Sequence, residues 1–250
     1  MFYFPMAGLS SRFTAAGYGK PKYYLETGSL SLFQASLKGF SRYFDSDGFC
    51  FIYLEEFIDE STIRLWAEEI GLPRTNCITV PLSSTTKGQA ETVHLGVKAA
   101  SGLNDKSEEV IIFNIDTIYH DFMKPDIGVD HYLDVTKLEG THWSFVEPHL
   151  DKPYQAQRVV EKDRISELCS VGLYGFGSSQ SFSNCYARLY GGEHGEKEEY
   201  VAPMYQQLID DGFSVHFREF PSKQFDFLGT PEEYEYYIEA KKRVTSANHI

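Results

Sequence analysis

Cysteine is scarce in this sequence. Cys50, Cys77, Cys169 and Cys185 stand far apart and form no C-x-x-C pair. Each lies in or near an apolar stretch, so they read as reduced core thiols, and a zinc site built from them is not expected. No apolar run approaches the roughly 20 residues of a membrane span. The start, Phe2-Tyr3-Phe4, lacks the basic region of a signal peptide, and a cytoplasmic protein is expected. Positive charge is short as well: 23 Lys and Arg stand against 36 Asp and Glu, a formal net charge of -13. That excludes the basic stripe of a nucleic-acid surface and argues against an anionic membrane as partner. Any positive charge that meets an anionic ligand must therefore be local.

What is present is ordinary globular material. At 250 residues and 42% hydrophobic content the chain can bury a real core. Short apolar runs alternate with amphipathic ones through the first half. Strands are expected at 2–6, 49–54, 76–81 and 110–115, and helices at 31–40, 60–70 and 90–100. This βαβαβαβ order predicts a parallel sheet covered by helices, with its ligand crevice at the carboxyl ends of the strands. After about residue 120 the pattern changes. Residues 141–147 and 156–161 alternate, Asp163-Arg164 is expected to turn a hairpin into 165–168, and 171–176 reads as a further strand. Helical spacing follows over 200–211, a strand over 213–220, and a closing helix over 231–243 with Pro231 in its first turn. The expected fold class is α/β: a Rossmann-like three-layer αβα domain with a mixed, mostly parallel sheet and an antiparallel insertion. No linker, repeat or low-complexity segment divides it, so 1–250 is expected to be one domain.

The first strand runs straight into Ala7-Gly8-Leu9-Ser10-Ser11-Arg12-Phe13, followed by Lys20-Pro21-Lys22. Gly8 allows close approach of a ligand to the backbone, and the small residues Ser10 and Ser11 keep the turn open. Arg12, Lys20 and Lys22 form a local cation cluster suited to phosphate. Two phosphate motifs fail. Gly19-Lys20 is followed by Pro21, which breaks the P-loop spacing, and Ser10 and Phe13 stand where a dinucleotide loop has glycines. On these residues alone an anion loop and an ordinary turn remain open.

The stretch resembles the signature of the sugar-phosphate nucleotidyltransferases, also called nucleoside-diphosphate-sugar pyrophosphorylases: a strand, GxGxRF, a variable loop, then PK. Ser10 replaces the second glycine. The resemblance implies a GT-A-like nucleotidyltransferase fold in which residues 1–120 bind the nucleotide and 121–250 the acceptor. It also implies that Ala7, Gly8, Leu9, Ser10 and Ser11 hold a nucleoside triphosphate, with Arg12 and Lys22 as the catalytic cations. Three later stretches match in order. Lys87-Gly88-Gln89-Ala90-Glu91-Thr92 is similar to the base-reading segment, implying nucleotide contacts from Gly88, Gln89 and Glu91. Phe113-Asn114-Ile115-Asp116 ends the fourth strand, and the resemblance makes Asp116 a Mg²⁺ ligand. Asp226 in Phe225-Asp226-Phe227-Leu228-Gly229-Thr230-Pro231 resembles the second metal carboxylate of a D-x-G-T-P-E segment. Here the spacing is one residue longer, which moves the side chain to the other face of a regular strand unless a bulge intervenes. Gly172 and Tyr174, in Gly172–Phe176, match the strand bordering the acceptor. Glu161-Lys162 resembles an acceptor-gripping EK pair, but at a different distance from that strand.

The implied reaction transfers a nucleotidyl group from an NTP to a sugar-1-phosphate, with Mg²⁺ and release of pyrophosphate, for surface polysaccharide. Alternatives are a cytidylyltransferase for a small phosphorylated acceptor such as phosphocholine, a glycosyltransferase of the same architecture, and a non-catalytic nucleotide-binding regulator. Asp45-Ser46-Asp47 looks like a glycosyltransferase metal triplet but precedes the second strand, and it reads as a solvated turn. His120 is the histidine nearest the expected metal. The expected partners are an NTP and a phosphorylated small molecule, and the assembly allowed for is a homodimer.

Overall fold

A computed structural model describes residues 1–101, 108–126, 128–192 and 198–247, the side chains of 244–247 excepted. Its strands are β1 (Phe2–Met6), β2 (Phe49–Leu54), β3 (Cys77–Leu82), β4 (Val110–Phe113), β5 (Thr117–Tyr119), β6 (His131–Lys137), β7 (Ser144–Pro148), β8 (Ala156–Glu161), β9 (Leu168–Phe176), β10 (Val215–Glu219) and β11 (Phe225–Phe227). Its helices are α1 (Ser11–Ala15), α2 (Leu32–Lys38), α3 (Glu60–Glu69), α4 (Gln89–Ala100), α5 (Ser179–Tyr190), α6 (Ala202–Asp210) and α7 (Pro231–Ala247).

Side-chain alternation along the strands builds three layers. Phe2, Phe4, Phe49 and Phe51 turn to one face, while Tyr3, Cys50 and Ile52 turn to the other. On the first face the rings stack, Phe2 on Phe49 at 4.8 Å and Phe4 on Phe51 at 5.3 Å, under α2 and α3. The second face is covered by α4, α5 and α6. With both faces covered, β1, β2 and β4 are almost wholly buried, as parallel-sheet strands are. The helices start where local chemistry caps them: Ser31 and Gln34 form a reciprocal capping box on α2, and the Asp59 and Ser178 side chains accept N–H groups of α3 and α5.

The main sheet runs β10-β6-β9-β4-β1-β2-β3, with β7 and β8 joined to it beside β9. β1, β2, β3 and β4 pair in parallel, as does β10 with β6, whereas β9 lies antiparallel to β4 and β6. The sheet is mixed and mostly parallel, as the patterning predicts. A two-stranded β5-β11 ribbon stands apart and carries the residues after Asp116.

Two local expectations need correction, and two elements escape the sequence reading. The Asp163-Arg164 turn does not lead into a paired strand at 165–168; β8 pairs with β7, and the next strand begins at Leu168 inside the main sheet. β6 goes unnoticed in the sequence because Asp134 sits at its centre. Helix α5 is hidden by its serine-rich start. Asp47 is not purely solvated: it ion-pairs with Lys124 beside β2's entry, away from the strands' carboxyl ends. The four cysteines are buried and free.

Asp134 is fully buried, and the Arg218 guanidinium from β10 grips both its oxygens at 2.7 Å. The Tyr119 hydroxyl donates a third bond at 3.0 Å. Removing one partner of a buried pair strands the other charge. Arg218→Met is therefore expected to lower unfolding stability by about 3–5 kcal/mol, read by urea denaturation.

Candidate active site

At the carboxyl ends of β1 and β4 opens a cleft of about 610 Å³. The two strands are parallel neighbours, Phe2 opposite Ile111 and Tyr3 opposite Ile112, so the loops that follow them emerge at one edge. The loop after β1 supplies Ala7, Gly8, Leu9, Ser11 and Arg12 to the cleft wall. Ser10 is left-handed (φ 52°, ψ 36°), a conformation glycine takes freely and serine rarely. Its carbonyl accepts the N–H groups of Phe13 and Thr14, and its hydroxyl oxygen accepts the Lys22 N–H at 3.2 Å. Serine thus holds the turn and ties it to the Pro21-Lys22 step. The Lys22 ammonium reaches across to Asp116, Nζ to Oδ2 at 2.6 Å. Lys20 lies outside the cleft wall, over the Tyr24 ring.

The loop before α4 forms the next wall with Lys87, Gly88 and Gln89. It is clamped by a segment far away in sequence. Glu199 donates its N–H to the Lys87 carbonyl at 3.0 Å and accepts the Ala90 N–H at 2.9 Å. The Glu199 side chain is buried, accepts the Tyr186 hydroxyl at 2.7 Å and faces the Lys87 ammonium at 3.7 Å. Gln89 donates its amide to the Asn114 side chain. Glu91 turns back to accept the Lys87 N–H and does not line the cleft. Its expected nucleotide contact is replaced by a loop-closing role.

The far side is lined by Gly172, Tyr174, Glu161 and Lys162, with His142, Trp143, Glu198, Tyr200, Phe227 and Glu233. Gly172 needs its positive φ of 83°, and a Cβ there would meet Asn114 at 2.6 Å. Burial pushes the Tyr174 phenol up to about 12. Burial also raises the Glu161 carboxyl, against the lowering effects of the Ser144 hydroxyl and the Lys162 charge. The Lys162 ammonium sits over the Tyr200 ring and hydrogen-bonds its hydroxyl. Sequence reading named the Glu161-Lys162 pair but missed His142, Trp143, Glu198, Tyr200 and Glu233. Only Glu233 has a local signal, the Thr230-x-x-Glu233 capping pattern.

Asp226 does not reach the cleft. β11 runs in unbroken antiparallel register with β5, and no bulge restores the shifted spacing. Phe227 takes the cleft-facing position, while Asp226 lies on the other face with its carboxylate 2.9 Å from His120 Nε2. The expected second metal carboxylate is corrected accordingly. Among the described residues no group of three or more His, Cys, Asp and Glu side chains forms a metal cage. The carboxylate of Asp116 lines the cleft with the Lys22 ammonium on its Oδ2, and such a carboxylate fits Mg²⁺, an ion commonly held by one or two carboxylates plus substrate phosphates.

A crystal structure described as the nucleoside-diphosphate-sugar pyrophosphorylase from Vibrio cholerae RC9 shares 35% identity with this chain, with a TM-score of 0.89 over 96% of this chain and 100% of that one. The chain belongs to this family. The nucleoside-diphosphate-sugar pyrophosphorylases are nucleotidyltransferases, and that is the enzyme class of the chain. Two more distant structures share the fold alone. One is a UDP-glucose pyrophosphorylase complexed with UDP-glucose, at 13% identity and TM-score 0.70, covering 97% of this chain and 98% of that one. The other is the inositol-1-phosphate CTP transferase from T. maritima, at 14% and 0.68, covering 96% and 95%. No protein-family model matches the chain, and no curated protein matches it. Among the described residues no helix is long and apolar enough to cross a membrane.

A methyl group at position 88 would stand 2.5 Å from the Glu199 carbonyl oxygen and 2.7 Å from its nitrogen. Backbone cannot yield as a flexible side chain can, so Gly88→Ala must part the clamp. The expected loss is about 1–3 kcal/mol of stability, the scale of overpacking, read by urea denaturation.

Proposed function

We propose that the enzyme transfers a nucleotidyl group from an NTP to a sugar-1-phosphate, with Mg²⁺, releasing pyrophosphate and forming a nucleoside-diphosphate-sugar. By resemblance its setting is cytoplasmic supply of surface polysaccharide. The observation that carries the reading is the convergence of Arg12, Lys22, Asp116 and the Gly88-Gln89 loop on one cleft in a chain of net charge -13. The first half of the chain contributes the cations Arg12, Lys22 and Lys87 to this cleft, and the second half contributes Lys162 with the carboxylates Glu161 and Glu198. Cations suit a triphosphate. A lysine with carboxylates in the same wall suits a sugar phosphate, whose hydroxyls need acceptors.

In the reaction an acceptor phosphate oxygen attacks the α-phosphorus in line, and the bond to pyrophosphate breaks. The obstacle is charge. Two unit charges at roughly 4 Å repel by about 4 kcal/mol at an effective dielectric of 20, and each phosphate carries more than one. Arg12, a planar fork, meets the departing pyrophosphate, and Lys22, a point charge, neutralises the oxygens around the α-phosphorus. Asp116 holds the Lys22 ammonium at the strand ends before substrate arrives. Asp116 would hold Mg²⁺, which when bound would supply further positive charge against the phosphates. Gly88 and Gln89 face the base, with the loop fixed by Glu199 and the Gln89 amide oriented by Asn114. Gly172, Tyr174 and Lys162 border the acceptor. No general base is required, because the attacking phosphate is already ionised near neutral pH.

Thermal shifts with ATP, CTP, GTP, UTP and dTTP, each with Mg²⁺, test the donor half. A nucleotide at 100 times its Kd stabilises by about 2.7 kcal/mol, roughly 5–10 °C for a domain of this size. One nucleotide should give that shift, and none doing so would remove the reading. With the donor in hand, Lys22→Ala and Asp116→Asn should fold normally and lose at least about a hundredfold in pyrophosphate release, the scale of a lost electrostatic contact.

A further inference from the structure

Glu233 stands where a second carboxylate can act, and nothing in strand β11 brings it there. After Phe227 the backbone stays beside Asp116, with the Leu228 N–H donating to the Asp116 carbonyl at 2.8 Å. The next residue is Gly229. A Cβ on it would lie 3.2 Å from Asp116 Oδ2 and 3.5 Å from Glu233 Oε2. The missing side chain therefore leaves room within contact distance of both carboxylate oxygens. Oδ2 is also the atom that holds the Lys22 ammonium, so a cation already sits on this oxygen. Glu233 is fixed by the start of α7. Its Oε2 accepts the Thr230 N–H at 2.9 Å, and the Thr230 hydroxyl oxygen accepts the Glu233 N–H at 3.2 Å, a reciprocal capping box. Its other oxygen faces His142 Nε2 at 3.9 Å and lines the cleft.

We infer that Glu233, and not Asp226, is the carboxylate that works with Asp116 in holding the divalent cation, across the gap that Gly229 leaves open. This rests on the reading that the cleft takes a metal-bound nucleotide. It assigns Glu233 two tasks that fit together: starting α7 and presenting its charge to the ion. Mg²⁺ keeps several waters and takes one or two carboxylates, so a pair that meets beside a glycine is sufficient without a closed cage.

The test is a titration of the full-length chain with Mn²⁺ alone, free ion being followed by electron paramagnetic resonance. Wild type should bind one Mn²⁺. Glu233→Gln should weaken that binding about tenfold, with an unchanged circular dichroism spectrum, because glutamine still completes the capping box. Gly229→Ala should weaken it too, without any change of charge. Asp226→Asn should stay within twofold of wild type. Wild-type affinity in Glu233→Gln, or an equal loss in Asp226→Asn, would overturn the assignment, as would a wild type that binds no Mn²⁺ at millimolar concentration. No nucleotide enters this titration. A protein that shifts with an NTP while Glu233→Gln binds Mn²⁺ normally keeps the transferase reading and loses this one. A protein that shifts with no nucleotide loses the transferase reading first.

Discussion

The ion pair between Lys22 and Asp116 joins the loop after the first strand to the end of the fourth, 94 residues away, at 2.6 Å. Both side chains remain partly exposed, and pairs of that kind stabilise by only about 0–1 kcal/mol. Its importance is therefore not to the fold. It concerns where two charges are kept before a polyanion arrives. The pair exists because β1 and β4 are parallel neighbours in matched register, so that both loops emerge at one sheet edge. Everything else in the cleft is arranged around that edge.

A second ion pair does the opposite work. Asp134 and Arg218 are locked together behind the site, with the aromatic rings of Phe122, Tyr132 and Phe220 around the guanidinium. Asp134 also accepts the hydroxyl of Tyr119, the last residue of β5. β5 begins one residue after Asp116. The buried pair thus anchors the ribbon whose entrance carries the exposed one. One pair gives rigidity through burial, and the other gives availability through exposure. Exchanging those environments would cost both properties, since a buried Lys22 could not meet substrate and an exposed Asp134 would not hold β5.

How much of this was legible in the sequence depends on how local the determinant is. β1 and β2 lie on their expected bounds because their apolar runs are uninterrupted, and β8 lies on its expected bounds as well. The cation loop and Asp116 were legible because strand order alone brings them together. β6 was not, since Asp134 breaks its apolar run and is acceptable there only through Arg218, 84 residues away. Nothing in Glu198-Glu199-Tyr200 signals burial, yet Glu199 is buried and its backbone closes the loop at Gly88. Asp226 shows the converse. Its motif is nearly right, but side-chain parity along a regular strand overrides motif similarity, and the ribbon turns it to His120.

The segment at residues 198–200 also explains how two halves of the chain make one site. Glu199 binds the backbone of Lys87 and Ala90, on the side contributed by the first half. Its neighbour Tyr200 carries the Lys162 ammonium on its ring and hydroxyl, on the side contributed by the second. Tyr200 is held in turn from behind, its carbonyl accepting the Tyr190 hydroxyl at 2.7 Å. Adjacent residues cannot move independently by much, so the Gly88 loop and the Lys162 ammonium are held by contacts to one short segment. Catalysis that depends on bringing two phosphates together needs such a fixed span, because misplacement by 1 Å can lose a hundredfold in rate. Sheet pairing fixes Lys22 against Asp116, and a single short strap fixes the two sides of the cleft against each other.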